Sequence, residues 1–189
     1  MNFLEEKILR DGTIKPGNIL KIDSFLNHQI DIDIIRQIAY ELKRRFKGVE
    51  VTKVLTIEAS GIAIATMLGN LYDVPVVFAK KQQPSTMSDM YVAEATSFTK
   101  KCDYKMVISK EFLTKEDRVL FIDDFLAYGS TGLGAIELCR QAGASIEGMG
   151  FIIEKAFQKG RQLLEEAGVK RIESLAVIDS LDNGQIEFR

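Results

Sequence analysis

A chain of 189 residues with 46% hydrophobic residues is long enough for one domain with a buried core, and its composition is neither disordered nor fibrous. The net charge of −2, with 28% charged residues, argues against a protein that binds nucleic acid without sequence preference, because such proteins carry a basic excess. Two cysteines without CxxC spacing argue against a disulfide framework or a zinc site, and the acidic start and lack of long apolar runs predict a cytoplasmic protein with no membrane partner.

The first part of the chain predicts helices on both sides of an irregular segment, followed by a strand, a helix and a second strand. Apolar residues recur at helical spacing after Asp31, which is a residue type that caps helices. The predicted elements are a helix from Asn2 to Asp11, an irregular stretch from Thr13 to Ile30, a helix after Asp31, a strand from Lys53 to Ile57, a helix from Gly61 to Tyr72 and a strand from Val74 to Ala79.

The segment from Lys80 to Lys101 is polar and has no clear helical period. This composition predicts a long loop or a mobile hairpin. Loops of that length in compact domains are usually functional or disordered, so we expect the segment to serve the active site.

The second part alternates strands with helices. The predicted elements are strands from Val119 to Ile122, Gly148 to Ile153 and Ile172 to Ile178, helices from about Gly132 to Gln141 and Arg161 to Ala167, and a turn at Asp182-Asn183-Gly184 into a last strand from Gln185 to Phe188. This alternation predicts a single α/β domain over residues 1–189, built on a mostly parallel sheet flanked by helices.

Two adjacent carboxylates follow one apolar strand and precede a loop of small residues. The run reads Val119-Leu120-Phe121-Ile122-Asp123-Asp124-Phe125-Leu126-Ala127-Tyr128-Gly129-Ser130-Thr131-Gly132. Neighbouring strand residues point to opposite faces, so Asp123 and Asp124 suit the two hydroxyls of a ribose better than one shared metal ion. The N–H groups and hydroxyls from Ala127 to Thr131, at a helix start, predict a phosphate site. The segment therefore predicts a ribose 5-phosphate site at the carboxyl edge of the sheet.

A plainer interpretation exists for each part of this segment. An Asp pair at a strand end often caps a helix, and small-residue turns are common. The segment is not a P-loop, because GxxxxGK[ST] is absent, and no GxGxxG opens a helix. The complete order of strand, acidic pair, small loop and helix favours the ribose 5-phosphate site.

The same order resembles the signature of type I phosphoribosyltransferases for 5-phosphoribosyl-1-pyrophosphate (PRPP): apolar residues, two acidic residues, a short linker and G-[ST]-[TG]. The resemblance implies that Asp123 and Asp124 are the catalytic pair that holds the ribose hydroxyls. It implies a 5-phosphate site of Ala127, Tyr128, Gly129, Ser130 and Thr131, and a pyrophosphate site of Glu58, Ala59, Ser60, Gly61, Lys80 and Lys81. It also implies a flexible loop, about residues 80–101, that closes over the site.

Three further stretches are similar to bacterial xanthine phosphoribosyltransferases, namely Leu20 to Asp31, Ser97-Phe98-Thr99 and Ile153-Glu154-Lys155. The resemblance implies an N-terminal hood within residues 1–30 and purine contacts from Leu20, Asn27 and Lys155. A lysine ammonium only donates hydrogen bonds, so Lys155 suits a 6-oxo group and opposes the 6-amino group of adenine. The residues alone leave xanthine, guanine and hypoxanthine open, and the resemblance selects xanthine.

The resemblance thus implies a pentosyltransferase of purine salvage that converts xanthine and PRPP to XMP and pyrophosphate. It implies a homodimer, and Mg²⁺ held mainly by PRPP and water rather than by a ligand set in the protein. His28, the single histidine, is interpreted as structural. Two alternatives stay open: a guanine or hypoxanthine enzyme of the same fold, and a non-catalytic regulator that senses PRPP.

Overall fold

The computed structural model of the protein describes residues 1–82, 88–97 and 102–189. Its N-terminal elements are helix α1 (Phe3–Asp11), a hairpin of β1 (Thr13–Lys15) and β2 (Ile19–Lys21), a π-helical turn (Asp23–Asn27) and helix α2 (Ile32–Arg45). The expectation of an irregular stretch from Thr13 to Ile30 is therefore wrong. Strands of three residues are too short to show an alternating pattern in the sequence.

The described chain continues through a regular alternation of strands and helices. These elements are β3 (Lys53–Ile57), α3 (Gly61–Tyr72), β4 (Val76–Ala79), β5 (Met90–Ser97), β6 (Cys102–Ser109), β7 (Arg118–Leu126), α4 (Ser130–Ala142), β8 (Ser145–Lys155), α5 (Gly160–Glu166), β9 (Ile172–Ser180) and β10 (Glu187–Phe188), with 3₁₀ turns at Lys110–Phe112 and Asp182–Gly184. None of the described helices has the length and apolarity that crossing a membrane requires.

Six strands form the central sheet in the order β10–β9–β8–β7–β3–β4. Every neighbouring pair is parallel except β9 with β10. Both faces of the sheet are covered, as is usual for parallel strands. In β7, Leu120 and Ile122 join the core beneath α1, α2 and α3, whereas Val119 and Phe121 join the core beneath α4 and the β5–β6 hairpin. The predicted α/β fold with a mostly parallel sheet flanked by helices is confirmed.

The hairpin of β5 and β6 packs against α4. Its strands are antiparallel and pair from Met90 with Ser109 to Ser97 with Cys102. At its base, Gln141 of α4 donates from Nε2 to the Val92 carbonyl at 2.8 Å and accepts from the Val92 N–H at 3.1 Å. Of the two structures predicted between residues 80 and 101, the described part adopts the hairpin. Residues 83–87 and 98–101 lie outside the described residues, so loop closure stays a prediction.

The two central strands of the sheet, β7 and β8, are longer than the sequence predicted. β7 runs to Leu126 and β8 runs to Lys155, because the two strands stay paired from Asp123 with Phe151 to Leu126 with Glu154. The expectation that β7 ends at Ile122 is wrong. Aspartate is disfavoured in strands in general, and pairing with β8 overrides that preference here.

Candidate active site

A cavity of about 1000 Å³ opens at the carboxyl ends of β3, β7 and β8. Its wall draws on the N-terminal segment, the β5–β6 hairpin and the loop that begins α4. The cavity brings together twelve of the predicted site residues: Leu20, Asn27, Ser60, Lys81, Asp123, Asp124, Ala127, Tyr128, Gly129, Ser130, Thr131 and Lys155. The other four predicted site residues, Glu58, Ala59, Gly61 and Lys80, are not among its lining residues.

The acidic pair lies inside β7, where it faces the cavity. Asp123 is 5% exposed, and its Oδ1 accepts the Asp124 N–H at 2.9 Å. Asp124 is partly exposed, and its Oδ1 accepts the Phe125 N–H at 2.9 Å. Burial, and then repulsion from the neighbouring Asp124 carboxylate, raise the pKa of Asp123 well above its ordinary value. An acceptor site of this kind is complemented by ligand hydroxyls, which donate hydrogen bonds without adding charge.

The loop between β7 and α4 presents the start of a helix to the same cavity. Gly129 adopts φ of +81°, and α4 begins at the next residue, Ser130. The backbone of α5 holds this loop closely, because the Gly160 N–H donates to the Ala127 carbonyl at 3.0 Å. A Cβ on Gly160 would lie 2.4 Å from that carbonyl oxygen, so only glycine fits at this contact. The loop is thus fixed with its helix N-terminus open toward the cavity, which suits an anion.

The predicted pyrophosphate residues form one connected group at the ends of β3 and β4. The Glu58 carboxylate accepts the Lys81 N–H at 2.6 Å, which ties the loop after β3 to the segment after β4. The peptide bond between Glu58 and Ala59 is cis. The backbone of Lys80 is paired in both directions with Val107 of β6, and its ammonium lies 5.6 Å from the ring centroid of Phe78. Of this group, Ser60 and Lys81 reach the cavity wall.

The predicted base contacts lie on the opposite side of the cavity. Lys155 ends β8, and its ammonium donates to the Asn18 carbonyl at 3.1 Å and lies 5.7 Å from the ring centroid of Phe125. Burial lowers the pKa of Lys155. Asn27 is exposed at the end of the π-helical turn, which Phe25, fully buried, anchors in the core. A cation and a carboxamide therefore face the cavity from the sheet and from the N-terminal segment.

A buried ion pair fixes the strand end that carries Lys155. Glu154 is 2% exposed, and its two carboxylate oxygens accept from Arg161 Nε at 2.8 Å and Nη2 at 2.6 Å. Burial opposes ionisation of Glu154, but hydrogen bonds from Arg161 and Ser174 outweigh it, so the pKa of Glu154 is lowered. Arg161 lies on α5 beside Gly160, which contacts the loop between β7 and α4. One short segment, residues 155–160, therefore joins Lys155 to the loop between β7 and α4.

Eleven of the lining residues were not predicted to belong to the site. They are Gly17, Asn18, Ile19, Ile57, Thr96, Tyr104, Phe125, Leu126, Gly132, Phe151 and Gln158. Phe125, Leu126 and Gly132 lie within the predicted segment from Val119 to Gly132, and Gln158 lies three residues after Lys155, so the sequence could have indicated them. Thr96 and Tyr104 reach the cavity only because the hairpin folds back over α4. No local sequence pattern predicts that these two residues lie at the cavity.

The described residues contain no group of three or more His, Cys, Asp or Glu side chains arranged to hold a metal ion. Among the described lining residues, only Asp123 and Asp124 carry carboxylates, and only Lys81 and Lys155 carry amines. This donor set fits a Mg²⁺ ion that is held mainly by the oxygens of a substrate and by water.

Comparisons with known proteins agree with this architecture. Residues 21–158 match the phosphoribosyl transferase domain. Xanthine phosphoribosyltransferase 1 of Clostridium perfringens is 52% identical, and the xanthine phosphoribosyltransferase of Clostridium novyi is 48% identical, with 100% of both chains covered in each case.

Solved structures show the same fold. The APRTase of Giardia lamblia, complexed with 9-deazaadenine, has a TM-score of 0.77 at 25% identity and covers 94% of this chain and 98% of its own. The adenine phosphoribosyltransferase of Thermoanaerobacter pseudethanolicus has a TM-score of 0.76 at 23% identity. The match covers 92% of this chain and 98% of that protein's chain. The chain therefore belongs to the phosphoribosyltransferase family and has its type I fold.

Proposed function

We propose that this enzyme transfers the 5-phosphoribosyl group of PRPP to xanthine, giving XMP and pyrophosphate. The observation that carries the proposal is that one cavity joins the acidic pair, the helix N-terminus at Ser130 and the Lys155 ammonium. The relatives named as xanthine phosphoribosyltransferases, 52% and 48% identical, support the choice of base.

In this proposal the sugar phosphate binds to β7 and the loop after it. Asp123 and Asp124 accept hydrogen bonds from the two ribose hydroxyls, and the loop from Ala127 to Thr131 holds the 5-phosphate. The closed contact of Gly160 on this loop supports the assignment, because a fixed loop binds an anion without first losing conformational freedom. The sugar would then lie with its anomeric carbon between the leaving group and the base.

The leaving pyrophosphate would lie near Ser60 and Lys81. The Lys81 ammonium stabilises negative charge as the glycosidic bond to the pyrophosphate breaks. Glu58 fixes the backbone of Lys81 by accepting its N–H, which supports a role of Glu58 in holding this group rather than in binding the anion. Mg²⁺, held mainly by PRPP and water, would further neutralise the charge of the leaving group.

The base would bind between the hood and the end of β8. Lys155 donates to the 6-oxo group of the purine, and Asn27 can donate to the 2-oxo group. In this structure the ammonium donates to the Asn18 carbonyl, so base binding replaces one carbonyl acceptor by another. A purine with an amino group at position 6 offers no acceptor there, and this supports a 6-oxopurine although the similar solved structures are adenine enzymes.

The same proposal includes a homodimer in the cytoplasm. The dimer rests on the resemblance to bacterial xanthine phosphoribosyltransferases. The compartment rests on the substrate, because a sugar carrying phosphate and pyrophosphate does not cross a membrane unaided.

Among the described residues, the free thiol of Cys139 is buried, and burial raises its pKa to about 12, so it plays no part in the reaction.

The experiment that tests the reaction is product formation by the purified protein with PRPP, Mg²⁺ and xanthine. We expect XMP and pyrophosphate in equal amounts. A regulator that only senses PRPP would bind it in calorimetry and release no pyrophosphate with any base. That result would contradict the proposal that the protein is an enzyme.

A further inference from the structure

We propose that Tyr104 is a positioning residue for PRPP, because it fixes Lys81 and Thr131 from opposite ends of one side chain. Tyr104 belongs to β6 and lines the cavity, and the sequence gives it no role. The inference rests on the proposed function, in which Lys81 faces the pyrophosphate and Thr131 faces the 5-phosphate.

Two contacts of Tyr104 that support the inference are geometrically separate. Its hydroxyl lies 3.3 Å from Thr131 Oγ1, where either oxygen can donate. Its ring centroid lies 5.6 Å from the Lys81 ammonium, a distance at which a cation is attracted to an aromatic face. One side chain therefore links the two ends of the proposed PRPP site across the position of the ribose.

The place of Tyr104 in the hairpin explains why it reaches the cavity. In an antiparallel pair, opposite residues share a face, and Tyr104 pairs with Ala95 while Met106 pairs with Ala93. Ala93, Ala95 and Met106 are buried against α4. Tyr104 continues this inward face beyond the core, remains only partly buried and lies over the start of α4. The hairpin thus places an aromatic side chain beside the loop from Ala127 to Thr131, the proposed phosphate loop.

Lys81 has need of such a support. Its side chain is exposed, and a lysine stem has many rotamers that binding must freeze. A ring that attracts the ammonium before PRPP arrives lowers this cost, and the contact with Thr131 does the same for a hydroxyl of the phosphate loop. Tyr104 therefore acts on PRPP binding and leaves base binding unchanged.

Two variants separate the contacts. Tyr104→Phe keeps the ring over Lys81 and removes the hydroxyl, and it should raise KM for PRPP about threefold, in the range of one neutral hydrogen bond. Tyr104→Leu removes both contacts, and it should raise KM for PRPP about tenfold or more. We expect KM for xanthine to change less than about twofold in both variants, as contacts made only with PRPP require.

Tyr91 provides a matched control on the same hairpin. It lies on β5, is partly buried, and its ring centroid is 5.7 Å from the Lys110 ammonium, but it does not line the cavity. Tyr91→Leu therefore removes a similar lysine contact and a similar volume from the hairpin. We expect KM for PRPP to stay within about twofold of the wild type.

The decisive measurement combines steady-state kinetics with calorimetric binding of PRPP and Mg²⁺. In a cycle of Tyr104→Leu with Lys81→Met, the double variant should be weaker than the wild type by less than the product of the two single effects, because the ring acts through Lys81. The inference is overturned if Tyr104→Leu matches Tyr91→Leu, or if it raises KM for xanthine as much as KM for PRPP. If the wild type binds PRPP but forms no product, the proposed function fails, and the same variants still test Tyr104 through the dissociation constant of PRPP.

Discussion

Asp123 lies in the candidate site, in an environment that disfavours the charged form of its carboxyl. Its carboxyl is 5% exposed beside Asp124, and burial and this neighbour raise its pKa. A carboxyl whose pKa is higher in the folded state lowers stability as pH rises through that pKa. We expect Asp123→Asn to raise Tm at pH 7 by about 3 °C, which for a chain of this size corresponds to ~1 kcal/mol. The same variant should lower kcat/KM by about a hundredfold, because it weakens a charge-assisted contact to the ribose.

The difference in Tm between Asp123→Asn and the wild type should depend on pH. Below the ordinary pKa of 3.8 the carboxyl is protonated in both states, so Asp123→Asn and the wild type should have similar Tm. The difference should grow as pH rises through the higher pKa of the folded state. Asp124→Asn is the matched control, since Asp124 is more exposed: it should lose about a hundredfold in kcat/KM with a smaller gain in Tm. A folded double variant, with both aspartates changed to asparagine, that keeps near-normal activity would contradict the assignment of this pair.

A substitution of Lys155 tests the proposed recognition of the base. Removing its ammonium in Lys155→Ala takes away a hydrogen bond from a charged group, so we expect xanthine use to weaken by roughly 1.5–3 kcal/mol in kcat/KM. The dissociation constant of PRPP should change little, since Lys155 lies at the other side of the cavity from Lys81. Lys159→Ala is the control, because Lys159 is exposed in the same segment and does not line the cavity. Unchanged xanthine kinetics in Lys155→Ala would show that the base is recognised by other groups.

At the scale of elements, the β5–β6 hairpin is held to the phosphate loop as well as to α4. Ser130 Oγ donates to the Thr96 carbonyl at 2.8 Å, and Gln141 pairs with both backbone groups of Val92. A ligand that occupies the phosphate loop therefore acts on residues that also hold the hairpin. We expect PRPP with Mg²⁺ to slow trypsin cleavage between residues 80 and 105 severalfold.

A variant at the base of the hairpin sharpens this experiment. Gln141→Leu removes the contacts to Val92 and should speed cleavage without ligand, while protection by PRPP should persist because the phosphate loop is intact. Mg²⁺ alone serves as the control. Equal cleavage rates with and without PRPP would argue against closure of the segment over the site.

The elements that the sequence predicted well are those with a strong local pattern. β3 and α3 have the predicted bounds, because four buried residues in succession and a long apolar stretch between Gly61 and Tyr72 define them. The N-terminal hairpin was missed because each strand has three residues. The extension of β7 through Asp123 was missed because it depends on pairing with β8, which is far away in the sequence.

In the site, too, residues with a local sequence pattern were predicted and residues placed by tertiary packing were not. Asp123, Asp124 and the loop from Ala127 to Thr131 were predicted to lie together, and they line one cavity. Glu58 and Lys80 were predicted to bind pyrophosphate, yet in the structure the Glu58 carboxylate holds the Lys81 backbone and Lys80 pairs with β6. Tyr104 was missed, because its position depends on how the hairpin packs on α4. Motifs indicate the chemistry of a site, and tertiary packing decides which neighbours support it.

At the scale of the whole molecule, the proposed homodimer can be measured directly. The chain has a mass of 21.2 kDa, so sedimentation equilibrium should give about twice that value at micromolar concentration. The same measurement on Tyr104→Leu should give the same mass, since Tyr104 acts within the site. A monomer with full activity would contradict the dimer and leave the reaction itself unaffected.

The choice of base distinguishes the proposed xanthine enzyme from a guanine, hypoxanthine or adenine enzyme of the same fold. Its most direct test is a competition in which equal concentrations of xanthine, guanine, hypoxanthine and adenine share a limiting amount of PRPP with Mg²⁺. The ratio of products then equals the ratio of kcat/KM values. XMP should dominate, GMP and IMP should be minor products, and AMP should be absent, because the Lys155 ammonium cannot accept a hydrogen bond. AMP as the main product would contradict this account of the base site.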